Sequence, residues 1–229
     1  MSHFALAVAV FILTHLIPAI PGLRDRLIAR LGKSSYIALY SLVSVVTLVW
    51  VIGAALHAPV VLLWETAGWQ AWVTVIVSPV ALFLIVAGLI SANPLSLGLF
   101  PGEGGDKGAI VLVTRHPVFW GALLWALSHI PPNGDVRSLL LFSILALLAA
   151  SGFWLGDRRA RKRLGPQWPA FANETSIIPF AATLAGRNRL RIDVPIMLAF
   201  GMAGVLTWWL LAGGHGVLFG ADPLAATHY

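Results

Sequence analysis

The chain contains no cysteine. That absence excludes disulfides, thiolate metal sites, iron–sulfur clusters and haem attached through thioethers, so any haem must be held non-covalently. Charge is scarce as well: 10% of the 229 residues are Asp, Glu, Lys or Arg, against 59% apolar. At ~20 apolar residues per span, this length leaves room for about five to seven helices and none for a separate soluble domain. The start of the chain lacks the basic n-region and small-residue cleavage site of a signal peptide. Its apolar run carries His15 and Pro18 and reads as a retained first span. No internal repeat or low-complexity tract is present. These features describe a multi-pass integral membrane protein with one domain over residues 1–229.

What is present is a series of apolar runs at about 4–20, 36–56, 72–90, 117–130, 139–156 and 195–213, each bounded by Gly, Pro or charge. They predict an all-α, six-transmembrane helical bundle. The fourth run is the shortest, rising only ~20 Å against a hydrocarbon core of ~30 Å, so it must start earlier, near Ala109, or cross incompletely. Basic residues follow a topology pattern. Arg24, Arg26, Arg30 and Lys33 fall in one loop, Lys107 and Arg115 in the next but one. Arg158, Arg159, Arg161, Lys162, Arg163, Arg187, Arg189 and Arg191 fall in the loop two further on. Only Arg137, beside Asp135 in the PPNGD connection, lies on the other side. Both termini are therefore expected to be non-cytoplasmic. A net charge of +6 spread through short loops describes topology, so no nucleic-acid partner is expected. Trp50, Trp64, Trp69, Trp72, Trp208 and Trp209 fall near the expected outer interface, where an indole keeps its N–H wet. The segment LFPGEGGDKG is expected to be a flexible cytoplasmic loop.

Three constellations could carry chemistry. Arg115 and His116 stand at the cytoplasmic edge of the fourth span, with Pro117 suited to a first helical turn. They either meet an anionic group, phosphate or carboxylate, or serve as interfacial anchors. The stretch 156–191 reads as a basic extension of the fifth helix from Asp157 to Arg163, ended by Gly165, followed by a short turn that places Trp168 and Phe171 on one face. Its arginines suit either ligand binding or attachment to anionic lipid. Lastly, His15 and His129 lie inside apolar runs, where an ionisable side chain marks a functional site by default. Neutral imidazole coordinates haem iron without bringing charge into a low-dielectric interior. The other reading is a structural histidine bonded to a carbonyl or hydroxyl.

TRHPVFWGALLWALSH, NGD, GDRR, RLGPQWPAF, TSIIPFAA and GRNRL, in that order and spacing, resemble the family that contains bacterial NnrU proteins and the 15-cis-zeta-carotene isomerases of plants and cyanobacteria. THLIPAIPGLRDRLIARLG resembles that family's opening segment, so the likeness covers nearly the whole chain. The resemblance implies a non-covalent haem b, with His15 and His129 matching the axial ligands of the isomerases, in which reduced haem drives cis–trans isomerisation. For NnrU proteins it implies a link to denitrification. Ala126 stands where the isomerases have a cysteine, which removes a thiolate ligand and leans the chain toward the NnrU side.

A more distant resemblance is to isoprenylcysteine carboxyl methyltransferases and phospholipid methyltransferases. Arg115, His116, Pro117 and Gly121 fit their RHP-x-x-x-G pattern, which helps bind S-adenosylmethionine. The later part departs, since Asp157 is followed by Arg158 and Trp168 and Phe171 replace tyrosines. The expectation is therefore a haem b membrane protein of the NnrU type, a haem-dependent isomerase or redox enzyme acting on a carotenoid-like or other lipophilic molecule and served by an electron donor. An S-adenosylmethionine-dependent membrane methyltransferase is the alternative, and a haem-handling factor that turns over nothing a third reading. His15 and His129 are the expected metal ligands and catalytic pair. Arg115 and Arg187 are expected on propionates or anionic head groups, with Asp157 orienting Arg115. Counted from the cytoplasmic edge, His15 lies ~8 Å deep and His129 ~20 Å, a mismatch that tilt or a break at Pro18 could close. His116 otherwise remains the alternative partner for His15.

Overall fold

A chain in hydrocarbon must satisfy its own backbone N–H and C=O groups, and runs of Leu, Val, Ile and Ala do so as helices. The computed structural model describes residues 1–17, 20, 22–100, 102 and 106–228. The expected break at Pro18, and Pro101, Glu103, Gly104 and Gly105 of the glycine-rich loop, lie outside the described residues. Among the described residues the protein is helical, with two isolated β-bridges and no strand. The helices are α1 (Ser2–Leu16), α2 (Leu23–Leu31), α3 (Lys33–Leu56), α4 (Gly68–Ile90), α5 (Ala109–Val113), α6 (Pro117–His129), α7 (Val136–Leu164), α8 (Trp168–Glu174), α9 (Ala181–Leu184), α10 (Val194–Trp209) and α11 (His215–Phe219).

Each apolar run becomes a helix. Four segments, Lys33–Leu56, Gly68–Ile90, Val136–Glu174 and Val194–Phe219, are long and apolar enough to cross a membrane. The other two expected spans are shorter, 15 residues in α1 and 13 in α6. The fourth run does begin at Ala109, but as two helices. Pro117 bars helical geometry from the residue before it, and His116 takes φ −126° and ψ 57° between α5 and α6. The long helices leave large apolar side chains such as Leu42, Ile76, Leu147, Phe200 and Val205 facing outward, as lipid requires.

Two compact units make up the chain. In the first (Met1–Trp64 with Asp135–Leu141), α1 buries Phe4, Ala7 and Phe11 and packs on α3. Arg137 closes the end of α3, its Nη1 donating to the carbonyls of Ala55, Leu56 and Ala58 at 3.1, 2.9 and 2.8 Å. A guanidinium there answers both the orphan carbonyls and the negative end of the helix dipole.

In the second unit (Glu65–Gly134 with Phe142–Tyr229), α4 is the central element, packed on both α6 and α10. Small residues set the α4–α6 distance. A Cβ on Gly121 would stand 2.5 Å from the Ala81 carbonyl oxygen, so only glycine permits this approach. Leu84, Ala87, Leu95, Ile110, Val111, Ala160 and Ala199 form the buried core, with Trp168 and Phe171 packed against it. The face expected of those two aromatics is thus an inward one.

Candidate functional site

Two sites occupy opposite ends of α6. At its start, Pro117 turns the chain so that the His116 ring is enclosed, 0% exposed. His116 Nε2 donates to Asp157 Oδ1 at 2.8 Å, and its Nδ1 pairs with the Ser96 hydroxyl at 2.7 Å. The other carboxylate oxygen, Asp157 Oδ2, accepts from Arg115 Nη1 at 3.3 Å. Gly156 makes room for this arrangement, since a Cβ there would lie 2.8 Å from His116 Cε1. Asn93 fixes the loop that brings Ser96: its Oδ1 accepts from the N–H groups of Leu95 and Ser96, and its Nδ2 donates to the Arg115 carbonyl.

Arg115 continues onto α8. Its Nη2 donates to the carbonyls of Ala172 and Thr175 at 3.4 and 3.1 Å, while Arg187 Nη1 donates to Asn173 O at 2.7 Å. Thr175 Oγ1 donates to Phe171 O and Asn188 Nδ2 to Glu174 O. The last four carbonyls of α8, which no helical N–H can reach, are thus each met by a side chain. The guanidinium groups of Arg115 and Arg161 each lie 5.4 Å from the Trp168 ring. Among the described residues, Arg115 Nε is the one buried nitrogen of this cluster without a partner. The network is chemically closed. It joins α6, α7, the 91–100 loop and α8, and little of its hydrogen-bonding capacity is left for a ligand.

The far end of α6 differs. His129 Nδ1 lies 2.6 Å from the Trp125 carbonyl. A carbonyl can only accept, so Nδ1 carries the proton and Nε2 keeps its lone pair, which meets no partner among the described residues. Trp125 and Phe142 flank the ring, at 4.6 and 5.1 Å between centroids. Beside it lies a cavity of about 340 Å³ lined by Pro79, Trp125, His129, Trp209, His215 and Phe219 among others. In the first unit His15 repeats the arrangement, its Nδ1 donating to Phe11 O at 2.8 Å with Phe11 and Tyr40 against the ring. Fixing Nδ1–H on a backbone carbonyl is how proteins hold a histidine that coordinates metal through Nε2. Among the described residues no group of three or more His, Asp or Glu stands where it could hold a metal ion. A metal at either histidine would need a cofactor that supplies most of its own ligands, as a porphyrin does.

The structure thus brings together Arg115, His116 and Asp157, with Arg187 joined to them through α8. It sets His129 at the other end of α6 and His15 on α1 in the first unit. Sequence reasoning missed Ser96, Asn93, Thr175, Asn188 and His215. The dipeptide Asn93-Pro94 was the available pointer to the first two, because Asn before Pro favours a turn closed by the Asn side chain.

Comparison with known proteins bears on both ends. The family model described as "NnrU protein" matches residues 3–223. Over 86 residues the chain is 38% identical to "15-cis-zeta-carotene isomerase, chloroplastic" of Arabidopsis thaliana and 35% identical to the protein of the same name in Zea mays. Each match covers 37% of this chain and 23% of the relative, so the chain spans under a quarter of the length of those relatives. No solved structure matches it significantly.

Proposed function

The chain belongs to the NnrU family, and from that premise we propose that it is a haem b-binding integral membrane protein, an isomerase or redox enzyme acting on a lipophilic, carotenoid-like molecule. The observation that carries this reading is the shared state of two histidines in apolar helices, His15 and His129, each with Nδ1–H spent on a backbone carbonyl and Nε2 without a hydrogen-bond partner among the described residues. That donor chemistry fits an iron porphyrin. Bound there, the iron would supply one-electron chemistry. His15 and His129 would hold the metal, while Trp125, Phe142, Phe11 and Tyr40 keep the imidazole planes fixed and water away. Names of the carotene isomerase relatives support a lipophilic substrate. Six spans, non-cytoplasmic termini and a bacterial inner membrane complete the proposal, resting on the charge distribution of the loops.

His116 is the weaker ligand, because both its nitrogens already have partners. The same closure weighs against S-adenosylmethionine at Arg115, His116 and Asp157. Arg187, exposed and bonded to the Asn173 carbonyl, has more hydrogen-bonding capacity left for an anionic group than Arg115.

Purified protein is expected to show a haem b absorption spectrum. His15→Ala and His129→Ala should each abolish it while leaving the helical circular dichroism intact. A full spectrum in both variants would overturn the assignment of these two histidines to the iron. Colourless protein that binds S-adenosylmethionine by calorimetry would replace the haem reading altogether.

A further inference from the structure

The apolar part of α7 stops well before the helix does. From Ser138 to Gly156 it carries no Asp, Glu, Lys or Arg, and this stretch rises ~27 Å, close to the ~30 Å hydrocarbon core. The helix then runs on to Leu164 through DRRARKRL. Counted from Leu155, Arg158 stands ~4.5 Å and Arg161 ~9 Å further along the axis. The head-group layer on each side of a bilayer is ~5–8 Å deep, so these two residues straddle the level of the lipid phosphates.

No carboxylate of the chain answers this charge. Asp157 and Glu174 are the acidic residues between 156 and 191, and both are engaged, Asp157 with Arg115 and His116 and Glu174 with Lys107. Arg158, Arg159, Arg161 and Lys162 are exposed, and among the described residues none of their side chains forms an ion pair or a hydrogen bond. Two of the four are nonetheless held in place. Arg158 lies over the Trp154 ring and Arg161 over the Trp168 ring, each 5.4 Å from the centroid. Residues 154, 158 and 161 are spaced by four and three, so they share one face of α7. Trp168 is fixed by its packing on the buried core. Trp154 is 64% exposed where the apolar stretch ends, the place an indole takes at an interface. A guanidinium set against an indole has lost side-chain freedom before a ligand arrives, while its N–H fork stays open to the paired oxygens of a phosphate. Arg159 lies ~100° round the helix from Arg158 and rests on no ring among the described residues.

We propose that Arg158 and Arg161, framed by Trp154 and Trp168, hold the phosphate of an anionic phospholipid whose acyl chains lie along the apolar part of α7. Leu147, two turns back from Trp154 on the same face and 70% exposed, offers hydrocarbon to those chains. A choline or ethanolamine head group would set its own cation among Arg159, Arg161 and Lys162, so the head group is one without an amine, such as glycerol. The site uses no histidine, and its occupancy can be read on protein of any colour.

The test titrates the full-length protein in detergent with dioleoyl-phosphatidylglycerol or dioleoyl-phosphatidylcholine and counts bound lipid by native mass spectrometry. The glycerol lipid should fill one site about fivefold or more tightly than the choline lipid. Arg158→Gln/Arg161→Gln should remove that preference without lowering the unfolding temperature of lipid-free protein, because both side chains are exposed and unbonded. Arg159→Gln/Arg189→Gln takes the same charge from exposed positions outside the site and should keep the preference. Trp154→Leu should weaken the glycerol lipid about threefold, and Trp154→Phe less. Glycerol 3-phosphate, which has the phosphate but no chains, should not displace the lipid at roughly a hundredfold excess. Equal affinity for the two lipids, or unchanged binding in Trp154→Leu, would overturn the proposal. So would an equal loss in the Arg159/Arg189 pair, which would mean diffuse charge, and displacement by glycerol 3-phosphate, which would mean a soluble anion. A lowered lipid-free unfolding temperature in Arg158→Gln/Arg161→Gln would make those arginines structural and overturn it as well.

Discussion

Asp157 ties together the two basic side chains at the start of α6, because its two oxygens take His116 and Arg115 separately. Asn in its place keeps the shape but offers one acceptor and a donor, leaving the Arg115 guanidinium, 8% exposed, without its counter-charge. Breaking a buried pair from one side costs ~3–5 kcal/mol, and the His116 bond is lost with it. Asp157→Asn is therefore expected to lower stability by about 3 kcal/mol or more in reversible denaturant unfolding, with no change in the position of the haem absorption bands in the folded fraction. Stability equal to wild type would show the cluster to be dispensable. At this scale the sequence was partly legible. RHP and a later Asp announced a cluster, yet its closure was not visible. The partners that close it, Ser96, Thr175 and Asn188, are 20, 60 and 14 residues from His116, Arg115 and Glu174, the groups they meet. They belong to residue types that occur in any loop.

Elements were easier to read than their ends. Apolar length marks a helix in lipid whatever it packs against, so all six runs reappear as helices. Pro117 and Gly165 end or start helices as their backbone chemistry demands. The kink after Trp209 falls on the glycine pair of LLAGGHG, where Gly213 takes the φ of 116° that glycine alone adopts readily, but the sequence does not say which of the chain's many glycines will be used in this way. Asp193 was missed for a similar reason. One oxygen caps α10 by accepting from Ile196 N–H, and the other accepts from Ala109 N–H at the start of α5 at 2.7 Å. A single carboxylate thus starts two helices, 84 residues apart. Since a lost N-cap costs ~0.5–2 kcal/mol, Asp193→Ala should lower stability by about 2 kcal/mol. Hydrogen exchange should quicken at both Ala109–Val113 and the first turn of α10. Faster exchange at α10 alone would mean that the link to α5 contributes nothing.

For the molecule in its membrane, the count of crossings decides which side every loop faces, and α6 is the element that sets the parity. With 13 residues it rises ~20 Å and falls short of the hydrocarbon core. If it did not cross, the loops on either side of it would share one face and the next crossing, α7, would deliver the block from Arg158 to Arg191 to the face opposite Arg24–Lys33. Eight basic residues would then lie on the side that basic loops avoid. Crossing by α5 and α6 together, broken at Thr114–His116, avoids this. The break is tolerable because Arg115, His116 and Thr114 there are hydrogen-bonded to protein. Six crossings would make α1 one of them and put Ser2 outside. The absence of cysteine makes the test clean. Single replacements Ser2→Cys, Ser34→Cys, Gln167→Cys and Ala225→Cys, all at exposed positions, are treated in intact bacterial cells with a membrane-impermeant maleimide. Ser2→Cys and Ala225→Cys should label at once, Ser34→Cys and Gln167→Cys only after permeabilisation. Labelling at residue 167 from outside would mean that α6 does not cross and that the basic block defies the charge rule. Labelling at residue 2 only after permeabilisation would remove α1 alone from the spans.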